Sequence, residues 1–159
     1  MNRSTVTEKL REALTYYFVK KLFAVHHEFG IERWGKRRLD MLCMDFRTNL
    51  VGVEVKSCLA DYRSDKKWRN YLPYVHRMYF CFPQSVMESR VFPSIKEELK
   101  SEGVGILTLA PSGKITCALK CKVREVDEER RLKLLIKMAW RGGESRRTVK
   151  RVKRVYLEE

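Results

Sequence analysis

The chain has 159 residues, 44% hydrophobic and 11% aromatic, with only 8 Gly and 4 Pro. That is one domain's length, able to bury roughly 70% of its unfolded surface unaided, and the composition excludes a disordered, collagen-like or low-complexity chain. Thirty-four Lys plus Arg against 20 Asp plus Glu give a net charge of +14, which favours a polyanionic partner, either nucleic acid or an anionic membrane face.

Val6, Leu10, Ala13, Leu14, Tyr17 and Val25 recur at helical spacing, with Thr5 or Thr7 as caps, and predict a first helix over 5–25. A short strand is expected at 26–31, then a Gly- and Arg-rich loop through Trp34-Gly35-Lys36-Arg37-Arg38. The runs 39–46 and 50–58, separated by Arg47-Thr48-Asn49, read as a hairpin. Ala60 to Tyr71 reads as a charged helix closed by Pro73. The run 77–82 is a buried strand ended by Pro83. Residues 84–102 hold one or two short helices, because Pro93 interrupts a continuous helix but suits a helix start. Strands follow at 104–109 and 114–120 around the turn Pro111-Ser112-Gly113. A last helix, 128–140, carries Leu132, Leu135, Ile136 and Ala139 at helical spacing and is broken by Gly142-Gly143. Strands interleaved with helices in this order make an α/β domain over residues 1–140, followed by a basic C-terminal tail, 141–159.

The membrane branch is weak. The longest uninterrupted apolar run, Met78-Tyr79-Phe80-Cys81-Phe82, falls far short of the roughly 20 residues that a spanning helix needs. The start, Met1 to Lys9, lacks the apolar stretch of a secretion signal. Five cysteines, at 43, 58, 81, 117 and 121, form no CxxC pair, which suits free thiols in a cytoplasmic protein. Along a strand Cys117 and Cys121 would be roughly 13 Å apart, too far for one tetrahedral zinc.

The chemistry concentrates in Asp40, then thirteen residues, then Glu54-Val55-Lys56. Strand alternation puts Glu54 and Lys56 on one face and Val51, Val53 and Val55 on the core face. A hairpin folded around 47–49 sets Asp40 opposite about Lys56 with Glu54 as its diagonal neighbour, roughly 5–8 Å away. Two adjacent carboxylates repel, and a hard divalent cation relieves that repulsion while keeping waters and taking a phosphate oxygen. Such an ion lowers the pKa of a water and neutralises charge building on the phosphate. Lys56 is then placed to orient the attacking water or stabilise the pentacovalent phosphate. The Val55 carbonyl is a natural further ligand. The bland alternative, a Glu-x-Lys pair on a solvated strand with Asp40 in a turn, competes with this on spacing alone.

Asp40 with Glu54-Val55-Lys56 resembles the core of the PD-(D/E)XK nuclease superfamily, with Leu39 replacing its leading proline. The longer string Glu54-Val55-Lys56-Ser57, Asp61-Tyr62, Asp65, Lys67-Trp68 and Tyr71 resembles the MmcB-type DNA repair family within it, over about residues 36–140. The resemblance implies a restriction-endonuclease-like mixed β-sheet flanked by helices, and phosphodiester cleavage dependent on Mg2+, with Mn2+ able to substitute. A fourth acidic residue is also implied. In many relatives the first helix supplies it, which points to Glu8 or Glu12; Glu28, in the strand before the loop, is favoured because it can reach the Asp40 end of the hairpin.

Asp61, Asp65, Trp68 and Leu72 share one helical face by spacing, and Asp61 or Asp65 is expected to accept hydrogen bonds from the Lys56–Ser57 region or from Arg37 and Arg38, the alternative being ordinary surface ion pairs with Lys66, Lys67 or Arg69. Arg33, Lys36, Arg37 and Arg38 are candidate phosphate contacts, and Trp34 a stacking platform for an unpaired base. Residues 141–154 carry seven Lys/Arg against one acid, with Arg146, Arg147, Lys150 and Arg151 at their centre, a second candidate for DNA contact. The favoured function is a magnesium-dependent DNA endonuclease in repair, recombination or phage-like DNA processing. The alternatives are a branched-DNA (Holliday junction) resolvase acting as a homodimer, and a nuclease-fold DNA-binding protein without independent catalysis.

Overall fold

A computed structural model describes residues 2–32 and 37–142. The first helix, α1 (Arg3–Lys20), buries Leu10, Leu14 and Phe18, one residue per turn. It stops earlier than its apolar spacing suggests. The amide of Lys21 donates to the Phe18 carbonyl, that of Leu22 to Val19 and that of Phe23 to Phe18, while Leu22 takes a left-handed φ of 65°. This is a left-handed helix stop built without glycine. Val25 therefore belongs not to the helix but to β1 (Ala24–Gly30).

Strands β2 (Arg38–Met44) and β3 (Leu50–Val55) form the expected hairpin. The segment read as one charged helix divides into α2 (Leu59–Ser64) and a 3-10 helix (Trp68–Tyr74). Pro73 lies inside the 3-10 helix rather than closing the element. Strand β4 (Arg77–Pro83) leads through α3 (Gln84–Met87) and α4 (Phe92–Ser101) to β5 (Gly105–Leu109) and β6 (Ile115–Leu119).

The six strands lie side by side in chain order. β1–β2, β2–β3 and β5–β6 are antiparallel, whereas β3–β4 and β4–β5 are parallel. Parallel pairs need crossovers, which α2 with the 3-10 helix and α3 with α4 provide. Helix α1 packs on one face, where Leu10, Leu14 and Phe18 meet Met41, Cys43, Val51, Val53 and Val55. Aromatic rings gather around Phe80 and Phe82 of β4: Trp68 and Tyr62 stand edge-on to Phe80, and Phe92 edge-on to Phe82. Strand β3 is consequently buried along its whole length, as expected of a central strand.

The unit containing the sheet ends at Asp127; the helix α5 (Glu128–Gly142) opens a second compact unit. On α5, Arg131 pairs with Glu128 and Lys133 with Glu129. No helix among the described residues is long and apolar enough to cross a membrane.

Candidate active site

The hairpin turn decides which carboxylate faces which. Asp45 accepts the amides of Arg47 and Asn49 on Oδ1, both at 2.9 Å, and the Asn49 Nδ2 on Oδ2 at 2.8 Å. Thr48 adopts φ 63°, and the Asp45 amide donates to the Asn49 carbonyl at 3.3 Å. The turn is therefore closed by Asp45 and Asn49. Met41 pairs with Val53 and Met44 with Leu50. One step further, this register sets Asp40 opposite Glu54, two residues short of the expected partner Lys56.

At that step side chains replace the backbone ladder. The Asp40 amide donates to Glu54 Oε1 at 3.3 Å, and the Val55 amide to Asp40 Oδ2 at 2.8 Å. Glu54 is only 4% exposed, so its supposed solvent face is interior. Lys56 Nζ lies 3.3 Å from Glu54 Oε2 and 2.5 Å from Asp65 Oδ2. Asp65 is fixed in turn by the Lys67 amide, which donates to its Oδ1 at 2.9 Å. Ser57 Oγ donates to Asp61 Oδ2 at 2.6 Å. Both aspartates thus meet the Lys56–Ser57 segment, though not from one continuous helix: α2 ends at Ser64 and Asp65 takes an extended backbone. The Tyr71 hydroxyl donates to the Arg38 carbonyl at 2.9 Å and ties the 3-10 helix to the strand carrying Asp40.

Strand β1 brings a third carboxylate alongside. His27 pairs with Met41 and Phe29 with Leu39, leaving Glu28 opposite Asp40 with a left-handed φ of 47°. Glu28, Asp40 and Glu54 consequently occupy one transverse row on three adjacent strands. Arg11 of α1 reaches over this row, its Nη2 3.3 Å from Glu28 Oε1 and 3.8 Å from Asp40 Oδ1. Glu8 and Glu12, the other candidates for the additional acid, are exposed on α1.

Burial dominates the electrostatics. It raises the Glu54 carboxyl, with repulsion from Asp40 adding to it and Lys56 offsetting only part, so that the group is pushed up to about 8. Burial also raises Asp40, despite the Val55 amide that favours its charged form. Desolvation pulls the Lys56 ammonium down, but the Asp65 hydrogen bond and the charges of Glu54, Asp65 and Asp40 outweigh it and leave the group above its ordinary value. The Tyr71 hydroxyl, buried and facing Glu54, Asp65 and Asp40, rises to about 12.

The donor set is hard oxygen. Among the described residues, the ion pairs of Glu28, Asp40, Glu54 and Asp65 are made by Arg11 and Lys56, so carboxylates outnumber the cations that contact them. Among the described residues no three His, Cys, Asp or Glu side chains converge to hold an ion by themselves. The Asp40–Glu54 pair is of the kind that a hard divalent ion uses when it takes one or two carboxylates and completes its shell with water and phosphate oxygen.

Of the basic residues named from sequence, Arg38 is exposed beside Asp40, and Arg37 pairs with Glu32 at 2.9 Å. Arg33, Trp34, Lys36, Arg146, Arg147, Lys150 and Arg151 lie outside the described residues. Two residues at the site went unread. Arg11 arrives through helix docking, and nothing in its neighbourhood of the sequence sets it apart from the other basic residues. Tyr71 had a signal, since it belongs to the string resembling the MmcB-type family, but that string assigned it no task.

Comparison with known proteins agrees with this architecture. A protein of unknown function from Silicibacter pomeroyi, SPO1766, has a structure similar at TM-score 0.68 with 22% identity, over 84% of this chain and 83% of that one. An fdxN element excision controlling factor protein from Anabaena variabilis is similar at TM-score 0.51 with 17% identity, over 69% of this chain and 96% of that one. At these identities the likeness is one of fold. No curated protein matches the chain. The sequence profile of the DNA repair protein MmcB-like family matches residues 2–129, most of the chain and all of the sheet that carries Glu28, Asp40, Glu54 and Lys56. The chain belongs to the MmcB-like DNA repair protein family.

Proposed function

We propose that this protein is a divalent-metal-dependent DNA endonuclease. The observation that carries the reading is the pairing of Asp40 with Glu54 across the β2–β3 register, with the Lys56 ammonium against Glu54. The net charge of +14 supports DNA as substrate.

The carboxylates of Asp40 and Glu54 and the carbonyl of Val55 would hold Mg2+, or Mn2+ in its place. When bound, the ion supplies charge neutralisation at the phosphate and a more acidic water. The side chains do the rest. The Val55 amide keeps one Asp40 oxygen turned toward β3. Burial gives Glu54 a high affinity for a proton, which it would have to give up to serve as a ligand, so that its ligating ability would depend on pH. Lys56, gripped by Glu54 and Asp65, keeps its proton and can donate to a water or phosphate oxygen without swinging away. Asp65 is a positioning residue, held by the Lys67 amide. Glu28 sits in the same row as an outer carboxylate, beyond Asp40 from Glu54.

The test is cleavage of linear, nicked, flapped, single-stranded and four-way DNA with Mg2+, with Mn2+ and with chelator. Cleavage should need the ion and fall at least about 100-fold in Asp40→Asn and in Glu54→Gln, while DNA affinity is retained. Undiminished Mg2+-dependent cutting by Glu54→Gln would reject the assignment. The same panel separates out a branched-DNA resolvase, which would cut four-way DNA preferentially as a dimer. A DNA-binding protein without catalysis would bind throughout and cut nothing.

A further inference from the structure

Arg11 is poorly matched to its surroundings. Its partners are the half-exposed Glu28 carboxylate at 3.3 Å and the near oxygen of Asp40 at 3.8 Å, both reached by the single nitrogen Nη2. Its Nε is buried and has no hydrogen-bond partner among the described residues. A guanidinium offers five N–H groups in a planar fork suited to two oxygens of one phosphate. Here one arm rests on the half-exposed Glu28 carboxylate, a contact that holds weakly in water, and only at 3.8 Å on the part-buried Asp40, while the buried stem donor goes unused. Such a donor lacks an acceptor of the kind a phosphate oxygen provides.

We infer that Arg11 is a phosphate-binding residue held in reserve: in the ion-free site it shields Asp40 and Glu28, and on metal binding it turns its fork to a non-bridging oxygen of the scissile phosphate. The inference rests on the nuclease reading above and extends it to a residue on α1. The logic is competition for one carboxylate. Arg11 and a divalent ion both draw on Asp40, so Arg11 relinquishes it as the ion arrives. The Arg11 backbone stays where α1 packs, since Leu10 and Leu14 on either side of it are buried. Only the side chain need move.

Two variants and two readouts test this. Mn2+ titrated calorimetrically into the DNA-free protein should bind about threefold or more tightly to Arg11→Ala than to wild type, because a competing cation beside Asp40 is gone. The same variant should lose about 100-fold in kcat on DNA with little change in KM, as a donor serving the transition state would. Arg11→Lys should keep wild-type Mn2+ affinity yet recover little of kcat, since an ammonium carries the charge without the fork. Thermal melts of both variants verify the fold. Weaker Mn2+ binding by Arg11→Ala would overturn the inference, because Arg11 would then be organising the carboxylates rather than competing for them; so would wild-type kcat in that variant. A wild-type chain that neither takes Mn2+ nor cuts DNA sinks the nuclease reading and this inference with it.

Discussion

Glu54 shows how one side chain can oppose the fold that holds it. A carboxyl whose folded pKa is raised contributes stability that is complete below its unfolded value and is lost as pH climbs through the folded one. For Glu54 that window runs from about 4.5 to about 8. In chelator, wild type should therefore lose stability relative to Glu54→Gln across this range, by roughly 10 °C or more in melting temperature. Mn2+ added above pH 8 should restore the wild type but not the Gln variant. Differential scanning calorimetry at pH 5, 7 and 9 with both proteins checks it; parallel curves would mean that Glu54 is already ionised in the fold. The three side chains of the site were legible because a strand has period two and a hairpin brings its arms together. Their pairing was not. The turn runs from Asp45 to Asn49, and the Asp45 carboxylate, with three donors on it, moves the register by two residues.

At the level of elements, the sheet was readable from apolar runs punctuated by Pro, Gly and Asn, while the helix boundaries were not. Leu22 ends α1 in a conformation that sequence reading reserves for glycine. Asp65 interrupts what looked like one helix because its carboxylate is engaged by Lys56 and by the Lys67 amide, contacts that exist only after β3 is in place. Close strand packing at Gly105 makes a sharper demand. A Cβ there would lie 2.5 Å from the Tyr79 ring and 2.7 Å from the Leu119 carbonyl, so β4 and β6 would both have to move. Gly105→Ala is expected to cost about 2 kcal/mol or more, measured by urea denaturation. A loss within about 0.5 kcal/mol, the range of ordinary surface substitutions, would mean that the β4–β6 side of the sheet yields readily.

For the molecule as a whole, the proposed behaviour toward DNA rests on charge. The excess of +14 was plain from composition, but composition says nothing of where that charge sits. If the basic tail contacts phosphates, replacing Arg146, Arg147, Lys150 and Arg151 with Gln should flatten the slope of log affinity against log salt by about 3. Fluorescence anisotropy between 50 and 300 mM salt measures it, and an unchanged slope would make those residues bystanders.

The carboxylates of Asp40 and Glu54 also stand in for main-chain acceptors: each receives a strand amide that the neighbouring strand leaves unserved. Truncating either to alanine strands a donor in the interior, at a cost of about 1–3 kcal/mol unrelated to any reaction. The proposed chemistry and the architecture are thereby soldered together at two positions. A family member with no nuclease activity at all would still be penalised for discarding these acids, so their survival across a lineage would testify to the integrity of the sheet as much as to turnover.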